Sequence, residues 1–478
     1  MLSSQISRRA MLKWMVASAA GAALSACAMP PAAPAAPAAP AAPEGVAQPA
    51  PAEAVIEIGW ARHGAELDLG TEQALADLFA ERNPGIKVKP LVLPWEDYNT
   101  KIPVMLAGGT APDTYGAHPA LLMESYAAKG IRSIDEYIKA DATINYEDVL
   151  YPGDANFDGM IMGLPQKSCT HQLRYNKDLF AEAGMPTPGE LYWKDKEKGW
   201  NWNTFVEMGA KLTKDLDGDG QPDQYFYGGQ GGTNILGLIR AAGGEIFDAE
   251  ITRCVLTEPA AKEALQFMAD LVLKHKIQPP PELRADELGI NFNTGKIAVA
   301  GCTTCDSPRD LRAGHELPFK WDYVLLPAGP AGFRTWGDTD QIVLTVGSKN
   351  PDAAYKWMAY RSSKEAWEES YAKGVILAYS DGPTRWSIFE SKAFTEPLAG
   401  MDIEMIKEGY RHTIPNPFVP RCPQPYRIIF TIMVTEVDNI LRAAKTVDQG
   451  AADMCAQIDE ILKGGQAALS APACLCAS

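Results

Sequence analysis

The alternation of apolar and polar residues divides the first part of the chain into strands and helices. It predicts one strand over residues 55–60 and a second over residues 86–89. Apolar residues at helical spacing predict helices over 71–83 and 98–106. Strand, helix, strand, helix is the order typical of a parallel sheet with helices on its faces, so the pattern predicts an α/β fold.

A different pattern begins at residues 163–165, where Gly-Leu-Pro predicts a turn. Leu173 and Tyr175 then alternate with polar neighbours, which is the period of a strand. Asn176 is suited to cap a short helix over 179–184, because an Asn side chain accepts hydrogen bonds from the first helical N–H groups. We therefore predict a long extended segment that ends in a capped helix.

The remaining pattern predicts further strands and more helices toward the C-terminus. Strands are predicted over 323–327 and 342–344, whereas residues 332–340 are predicted as a loop. Helices are predicted over 202–213, 235–242, 259–274, 349–361, 427–443 and 451–462.

Length and charge narrow the class of protein. A chain of 478 residues exceeds what a single core usually serves, so two lobes or domains are expected. Hydrophobic content of 46% and charged content of 22% are globular values. The formal net charge of −16 argues against nucleic-acid binding and against electrostatic attachment to anionic lipid.

The N-terminus carries the features of an export signal. Residues 7–13 resemble a twin-arginine motif, and the short apolar segment 14–26 reads as the hydrophobic part of a signal peptide. That segment runs into Leu-Ser-Ala-Cys, which is similar to a bacterial lipobox and predicts cleavage before Cys27 and lipidation of this residue. The alternative is a signal anchor with an incidental cysteine. Residues 28–53 are rich in Ala and Pro, which predicts an extended tether.

Several motifs in the folded region carry a resemblance to a known family. Gly-Leu-Pro at 163–165 is followed by Tyr-Asn-Lys-Asp-Leu-Phe at 175–180. Ala-Gly-Gly-Thr-Ala-Pro-Asp stands at 107–113, and Ser-Lys-Asn-Pro-Asp-Ala-Ala stands at 348–354. With these motifs the chain resembles the extracellular solute-binding proteins of family 1, the maltose-binding-protein relatives of ABC importers, over most of residues 54–463.

The resemblance implies an α/β, two-lobed type II periplasmic-binding-protein fold, with discontinuous lobes joined by a hinge. It implies that the chain crosses between the lobes near 164–172, 321–328 and 378–382. The predicted domains are a twin-arginine and lipoprotein signal peptide with its lipobox at 1–27, an Ala/Pro-rich tether at 28–53, lobe 1 at 54–165 and 328–378, lobe 2 at 166–327 and 379–463, and a tail at 464–478.

The same resemblance implies capture of an extracellular carbohydrate, a mono- or oligosaccharide, by hinge closure and its delivery to the membrane subunits of an ABC permease. We expect a monomer that is no enzyme, needs no cofactor, binds no nucleic acid and touches the membrane only through its lipid anchor. Lys167 and the nearby Arg174 leave a phosphorylated or anionic solute open as an alternative. A further alternative is a lipid-anchored glycan-active enzyme, although no catalytic motif is apparent.

The candidate ligand-binding residues combine aromatic rings with polar groups. Aromatic faces stack on the apolar faces of sugars, and polar side chains bind hydroxyls. Core packing is the alternative for each aromatic residue, and for Trp336 it is as well supported as a cleft position. For His118 a position in a surface loop is as well supported as a role in binding. The full set of candidates is Trp60, His63, Glu66, Tyr115, His118, Lys167, Cys169, His171, Thr233, Asn234, Thr303, Trp336 and Asp338.

An acidic loop resembles the first half of an EF-hand calcium loop, with carboxylates at alternate positions and Gly at the sixth. The twelfth position is Phe226, so the bidentate Glu is missing. A structural Ca²⁺ and a metal-free Asp/Gly turn both fit this pattern. The candidate metal ligands are Asp215, Asp217, Asp219, Gln221 and Asp223.

The chain has 9 cysteines, without the spacing of a small secreted disulfide framework. Cys302-x-x-Cys305 is compatible with a redox pair, a zinc site or a disulfide. Neither a thioredoxin-like surrounding nor two further zinc ligands are apparent, so we predict a disulfide among some of the eight cysteines other than Cys27. Cys474 and Cys476 have no predicted role.

Overall fold

The fold is described from a computed structural model, which describes residues 55–64, 66–229, 232–283, 289–304, 317–375, 382–414 and 422–470. The predicted signal peptide, the tether, Cys27, Cys305 and the cysteines of the tail lie outside these residues, as does most of the crossing predicted at 378–382. The side chains of Glu66, Thr233 and Thr303 also lie outside the described part.

Lobe 1 is built on a parallel arrangement of three strands. β1 (Ile56–His63) pairs in parallel with β2 (Ile86–Leu93) on one side and with β3 (Thr114–Ala117) on the other. The helices α1 (Glu66–Arg82) and α2 (Trp95–Ala107) connect these strands. The strand–helix–strand order predicted from the sequence is confirmed.

Two long strands continue from lobe 1 into lobe 2. The first half of β7 (Gly163–Asn176) pairs with β11 (Thr335–Thr345), whose last residues pair with β3 of lobe 1. The second half of β7 pairs instead with β9 (Ile297–Thr303) and β10 (Trp321–Val324) of lobe 2. We call β7 and β11 the shared strands, because they carry the chain between the lobes.

The remaining strands are short. β8 of lobe 2 pairs in parallel with β9, β4 and β12 each pair with β11, and β5 pairs with β6. These strands are β4 (Ile131–Arg132), β5 (Asn156–Phe157), β6 (Met160–Ile161), β8 (Tyr225–Tyr227) and β12 (Thr413–Ile414).

The other helices cover the faces of the sheet and fill lobe 2. They are α3 (Pro119–Ala127), α4 (Asp135–Ala140), α5 (Lys177–Glu182), α6 (Pro188–Lys194), α7 (Trp202–Leu212), α8 (Gly232–Ala241), α9 (Pro259–Leu273), α10 (Pro351–Arg361), α11 (Lys364–Ala372), α12 (Lys392–Thr395) and α13 (Ile403–Arg411). The last are α14 (Pro425–Arg427), which continues through a π-helical stretch (Ile428–Met433) into α15 (Val434–Leu441), and α16 (Val447–Ser470).

Helix starts follow the local capping chemistry. Asn176 accepts hydrogen bonds from the backbone N–H groups of Asp178 and Leu179, as predicted for the end of the extended segment. Asn201 and Thr204 form a reciprocal capping box at the start of α7. These caps fix where the chain leaves a strand or loop and enters a helix.

The segment 332–340 differs from its prediction as a loop. Residues from Thr335 onward form β11, although this stretch contains Gly337, Asp338 and Asp340, and both Gly and Asp are depleted in strands. Pairing with β7 overrides that propensity. The crossing back to lobe 1 was predicted at residues 321–328. Residues 321–324 instead form a strand within lobe 2, so the chain returns to lobe 1 later, along β11.

Buried apolar side chains and disulfide bonds hold the described part of residues 53–478 together as a compact unit. The disulfide Cys254–Cys455 joins the loop after α8 to α16 across a sequence separation of 201 residues. Cys169 on β7 is also disulfide-bonded, whereas Cys422 is a buried free thiol. The prediction of disulfides among the cysteines beyond Cys27 is confirmed.

Among the described residues, none of the helices combines the length and the hydropathy that crossing a bilayer requires.

Candidate ligand-binding site

Three aromatic side chains meet where the parallel strands of lobe 1 end. His63 is the last residue of β1, Trp95 opens the helix after β2, and His118 follows β3. The ring centroids of His63 and Trp95 are 4.6 Å apart, and those of Trp95 and His118 are 4.7 Å apart. Carboxyl ends of parallel strands form the edge at which ligands bind in such sheets, so this edge is the first part of the candidate site.

The shared strands add a charged pair to the same edge. Asp340 of β11 places one carboxylate oxygen 3.0 Å from His63 Nε2 and 3.5 Å from Lys167 Nζ of β7. Only 6% of the Asp340 side chain and 15% of the Lys167 side chain are exposed. The cation and the anion of this edge are therefore held together in a mostly buried position.

Hydrogen bonds fix how the two histidines present their nitrogens. A carboxylate only accepts, so His63 donates from Nε2 to Asp340. His118 likewise donates from Nε2 to the Asn99 side-chain oxygen at 2.6 Å, while the Asn99 amide nitrogen donates to the Trp95 carbonyl. Both rings thus keep a defined tautomer at the edge of lobe 1.

Burial governs the protonation of these groups. Burial and the charge of Lys167 lower the pKa of His63, and burial lowers the pKa of His118 to about 4. Burial alone would raise the pKa of Asp340, but Lys167 and the hydrogen bond from His63 hold that pKa well below its ordinary value. At neutral pH the edge therefore carries one cation, one anion and two neutral imidazoles.

The shared strands present a row of side chains that leads from this edge toward lobe 2. Asp340 lies opposite Lys167, and Asp338 lies opposite Cys169 in the antiparallel register. Residues two apart on a strand share a face, so both pairs lie on one side of the shared strands. We call this side the hinge face.

The hinge face ends in an aromatic pair. The rings of His171 and Trp336 stack with centroids 4.5 Å apart and planes 13° apart. Both residues are buried, with 4% and 2% of their surface exposed. The structure thus brings together five candidates from the sequence on the shared strands: Lys167, Cys169, His171, Trp336 and Asp338.

Two other aromatic candidates lie in the core of lobe 1. Trp60 is fully buried and donates from Nε1 to Glu72 at 2.8 Å. Tyr115 is fully buried and donates from its hydroxyl to Ser125 at 2.6 Å. These positions favour core packing, the alternative that the sequence left open for each aromatic residue.

Asn234 lies inside lobe 2, away from the edge of lobe 1. It is 1% exposed and lines a small cavity together with Tyr227, Gln278 and apolar side chains. Among the described residues, neither polar atom of its side-chain amide has a hydrogen-bond partner. The cavity is suited to an ordered water, because a buried amide needs a partner.

The acidic loop brings three of its candidate ligands together. Carboxylate oxygens of Asp215, Asp217 and Asp223 lie within 4.8 Å of one another. Backbone N–H groups of Gly220 and Gly218 donate to Asp215, which lowers the pKa of that exposed carboxyl. Asp219 accepts a hydrogen bond from the backbone N–H of Gln221 instead. The oxygen-rich turn fits a hard cation such as Ca²⁺. Its own hydrogen bonds also stabilise the turn without a cation.

A second acidic group adjoins the shared strands. Asp154 lies in a 3₁₀ turn (Pro152–Ala155) that follows Tyr151, and it is 4% exposed. One of its carboxylate oxygens has no hydrogen-bond partner among the residues that the structure describes. Burial and the charge of Asp338 raise the pKa of Asp154 well above its ordinary value. Tyr151 stacks on Tyr410 of α13, so this turn of lobe 1 contacts a helix of lobe 2.

Sequence reasoning missed Trp95, Asn99 and Asp340 as members of the site. The signal for Asp340 was present, because Trp336, Asp338 and Asp340 alternate as strand residues do. Prediction of that stretch as a loop hid the alternation. Trp95 gave no comparable signal, because it lies in the first turn of a helix and joins the site only through the packing of α2.

Comparison with known proteins agrees with this fold. Residues 65–366, more than half of the chain, match the family described as bacterial extracellular solute-binding protein. The chain is 28% identical over 421 residues to the sn-glycerol-3-phosphate-binding periplasmic protein of Pectobacterium atrosepticum, covering 81% of this chain and 87% of that protein. It is 26% identical over 248 residues to the arabinooligosaccharide-binding protein of Halalkalibacterium halodurans, covering 50% of this chain and 51% of that protein.

Solved structures show the same architecture. The ABC substrate-binding protein of Listeria monocytogenes in complex with cycloalternan superposes with a TM-score of 0.70 at 21% identity. The match covers 85% of this chain and 99% of that one. This likeness shows the two-lobed type II periplasmic-binding-protein fold. Together with the family match over residues 65–366, it establishes that the chain belongs to the bacterial extracellular solute-binding proteins, the exported solute-binding components of ABC importers.

Proposed function

We propose that the solute is an uncharged carbohydrate, a mono- or oligosaccharide, held between the edge of lobe 1 and the hinge face. The observation that carries this proposal is the edge itself, where the half-buried ring of Trp95 stands beside two neutral imidazoles and a compensated ion pair. An aromatic face suits the apolar face of a sugar ring, and imidazole and carboxylate groups suit its hydroxyls.

The shared strands supply the mechanism. Only β7 and β11 link the two half-sheets among the described strands, so the lobes can rotate about them with little change inside either lobe. A solute that contacts both lobes favours the closed arrangement in proportion to its differential affinity for the two states. The closed form of the protein, with its bound solute, then delivers the solute to the permease.

The names of relatives support two solute classes. One relative is called an arabinooligosaccharide-binding protein, and a solved neighbour contains cycloalternan, which supports the carbohydrate proposal. Another relative is called an sn-glycerol-3-phosphate-binding protein, which supports a phosphorylated solute as the second candidate. Lys167 lies at the edge beside Asp340, whereas Arg174 lies over the Phe292 ring in lobe 2, roughly 20 Å farther along β7.

We also propose that the protein is exported by the twin-arginine route and is then anchored, as a lipoprotein, to the outer face of the cytoplasmic membrane through Cys27. The sequence similar to a lipobox supports this proposal. Substitution Cys27→Ala should move the protein from the membrane fraction to the soluble fraction. Retention of the variant in the membrane fraction would contradict lipid anchoring at this residue.

A structural Ca²⁺ in the loop 215–223 is a separate proposal, supported by the proximity of three carboxylates. Removal of calcium by a chelator should then lower the melting temperature of the protein, and added calcium should restore it. An Asp217→Asn variant should lose most of this response. Identical melting curves with chelator and with calcium would contradict the calcium proposal and indicate a metal-free turn.

A thermal-shift panel tests the proposed function. The protein is heated with sugars, oligosaccharides, polyols, sugar phosphates and amino acids, each at high excess. A ligand at a hundred times its dissociation constant adds about 2.7 kcal/mol of stability. We expect a shift with one class of uncharged carbohydrate and recovery of that sugar unchanged. Cleavage of a glycoside, without a saturable shift, would instead support the enzyme alternative.

A further inference from the structure

We infer that Asn99 is a positioning residue for solute binding: it holds the His118 ring in the place from which that ring supports the indole of Trp95. The inference rests on the proposed function, because it deepens the account of the carbohydrate site at the edge of lobe 1. Asn99 acts through His118 on the aromatic face and not by contact with the solute.

The Trp95 indole is packed between two imidazole rings. The His63 ring meets the indole edge to face, with centroids 4.6 Å apart and planes 88° apart. The His118 ring lies beside the indole with centroids 4.7 Å apart and planes tilted by 40°. Each imidazole limits the rotation of the indole. The orientation of the indole therefore depends on how firmly the two imidazoles are held.

Both imidazoles are held by a hydrogen bond from Nε2, but their partners lie on different elements. His63 donates to Asp340 of β11, whereas His118 donates to the side-chain oxygen of Asn99 on α2 at 2.6 Å. Burial lowers the pKa of His118 to about 4, so the ring is neutral at neutral pH and donates through a single nitrogen. Its other nitrogen, Nδ1, accepts from the Leu121 backbone N–H at 3.5 Å.

The two hydrogen bonds of Asn99 fix the orientation of its amide. The amide nitrogen donates to the Trp95 carbonyl at 3.0 Å, one turn back along α2. The amide oxygen is then turned toward His118 and accepts from it. A reversed amide would set donor against donor and acceptor against acceptor. Asn99 thus fixes the tautomer and the plane of the His118 ring from the same helix that carries Trp95.

The placement of α2 depends on other residues. Tyr98 is fully buried, and its hydroxyl donates to the Gly116 carbonyl of β3 at 2.6 Å. Ile102, one turn later, is also fully buried. Loss of the Asn99 amide should therefore leave the helix in place and release the His118 ring, and with it the indole of Trp95.

Fluorine NMR of the Trp95 ring tests this positioning without any solute. The full chain is purified in detergent with fluorotryptophan in place of tryptophan, and the Trp95 resonance is the one that disappears in Trp95→Phe. Leu has nearly the shape of Asn without its hydrogen-bonding groups. In Asn99→Leu we expect the Trp95 resonance to move or broaden while most other tryptophan resonances stay in place. Thr100→Val is the matched control, because the exposed Thr100 hydroxyl bonds carbonyls of its own helix.

A double-mutant cycle tests whether Asn99 acts on binding through Trp95. The probe is the uncharged sugar that gives the largest shift in the thermal panel. We expect Asn99→Leu to weaken its binding at least about fivefold and Thr100→Val to leave it unchanged. In the Trp95→Ala background Asn99→Leu should cause no further loss, because the ring that Asn99 positions is gone. A merely structural role would lower the affinity in both backgrounds.

Asn99→Asp tests the route through His118. Its carboxylate still accepts from His118 but cannot donate to the Trp95 carbonyl. We expect its Trp95 resonance and its sugar affinity to lie closer to those of the unmodified protein than the values of Asn99→Leu do. Asn99→Ala takes the place of Asn99→Leu in every comparison if the Leu variant folds poorly.

Three results would overturn the inference. They are an unchanged Trp95 resonance in Asn99→Leu, an equal loss of affinity with and without the Trp95 ring, and an Asn99→Asp variant as impaired as Asn99→Leu. If no uncharged sugar of the panel binds, the proposed function fails instead. The fluorine spectra then still decide whether Asn99 positions Trp95.

Discussion

Individual buried charges in this protein differ in whether they have a partner. Glu72 is fully buried and accepts from Arg62 at 2.7 Å, from Arg361 at 3.1 Å and from the Trp60 ring N–H at 2.8 Å. Asp340 is similarly engaged by His63 and Lys167. Asp154, in contrast, has a buried carboxylate oxygen without a hydrogen-bond partner in the described part of the chain. The cost of ionising each group follows from this difference.

Removal of the Glu72 carboxylate should strongly destabilise lobe 1. Glu72→Ala leaves two buried guanidinium groups without their shared anion, so we expect a loss of about 3–5 kcal/mol in the free energy of unfolding. Urea unfolding measures this loss. Glu81→Ala on the same helix is the control, because that side chain is 63% exposed and should change stability by less than about 1 kcal/mol. Equal effects of the two substitutions would contradict the account.

Asp154 should make the stability of the protein depend on pH. Its pKa in the folded state is raised, so the folded protein holds the proton more tightly than the unfolded chain does. The stability that this proton confers is present at low pH and is lost as pH rises from about 4 through the raised pKa. Asp154→Asn cannot ionise and should therefore be more stable than the unmodified protein at pH 8, with a smaller difference at pH 4.5.

Denaturant unfolding at the two pH values checks this prediction for Asp154. Asp158→Asn is the control, because Asp158 is a nearby exposed carboxylate that bonds the Tyr126 hydroxyl. A stability difference for Asp154→Asn that is the same at both pH values would show that the Asp154 carboxyl does not titrate as the structure requires.

At the scale of elements, α13 docks on β7 through a very close approach. Gln172 of β7 is fully buried and donates to the Met405 and Ile406 carbonyls of α13. A Cβ atom added at Gly409 would lie 1.5 Å from the Gln172 amide nitrogen. Gly409→Ala should therefore break this docking and cost about 1–3 kcal/mol of unfolding free energy.

Thermal unfolding of Gly409→Ala tests the docking of α13. Gly464→Ala in α16 is the matched helical control, because nothing lies within 4 Å of its added Cβ and Ala is the better helix former. We expect the control to be neutral or stabilising. Equal melting temperatures for the two variants would contradict the close packing of α13 on β7.

The disulfide Cys254–Cys455 should stabilise lobe 2 by closing a long loop. Replacement of both cysteines by Ser should lower the free energy of unfolding by about 2–5 kcal/mol, mainly through the greater freedom of the unfolded chain. The disulfide at Cys169 also responds to reductant, so the variant is compared with the unmodified protein under oxidising conditions. Unchanged stability of the variant would show that this link adds nothing to the fold.

Elements with a strong local signal were predictable from the sequence. The first two strands and helices of lobe 1, the second half of β7 and the cap at Asn176 follow from periodicity and capping chemistry. The turn predicted at residues 163–165 was wrong, because these residues pair with β11 and begin β7. β11 was not predictable in the same way, because its first half is polar and becomes a strand only through pairing with β7. Tertiary pairing decided this element, and local propensity did not.

The site was predictable where residues follow the ends of strands. His63, His118 and Lys167 come together at the edge of lobe 1, as their positions in the sequence indicated. Trp60 lies in the same strand as His63, yet its side chain points into the core. One residue along a strand reverses the side-chain direction, so closeness in sequence does not decide which residues face the cleft.

At the scale of the whole molecule, two half-sheets share β7 and β11, and the candidate site lies where these strands leave lobe 1. This arrangement lets one solute contact the edge of lobe 1, the hinge face and lobe 2 at once. Closure about the shared strands then links occupancy of the site to the shape presented to the permease.

The affinity of the best uncharged sugar from the panel for the unmodified protein and for Trp95→Ala, measured by calorimetric titration, tests the central claim most directly. The account predicts saturable binding of one sugar per chain and a loss of at least about tenfold in affinity in Trp95→Ala, equivalent to ~1.4 kcal/mol. Trp386→Ala is the control, because Trp386 is 38% exposed and lies outside the edge of lobe 1. Equal affinities of Trp95→Ala and the unmodified protein would contradict a carbohydrate site at this edge.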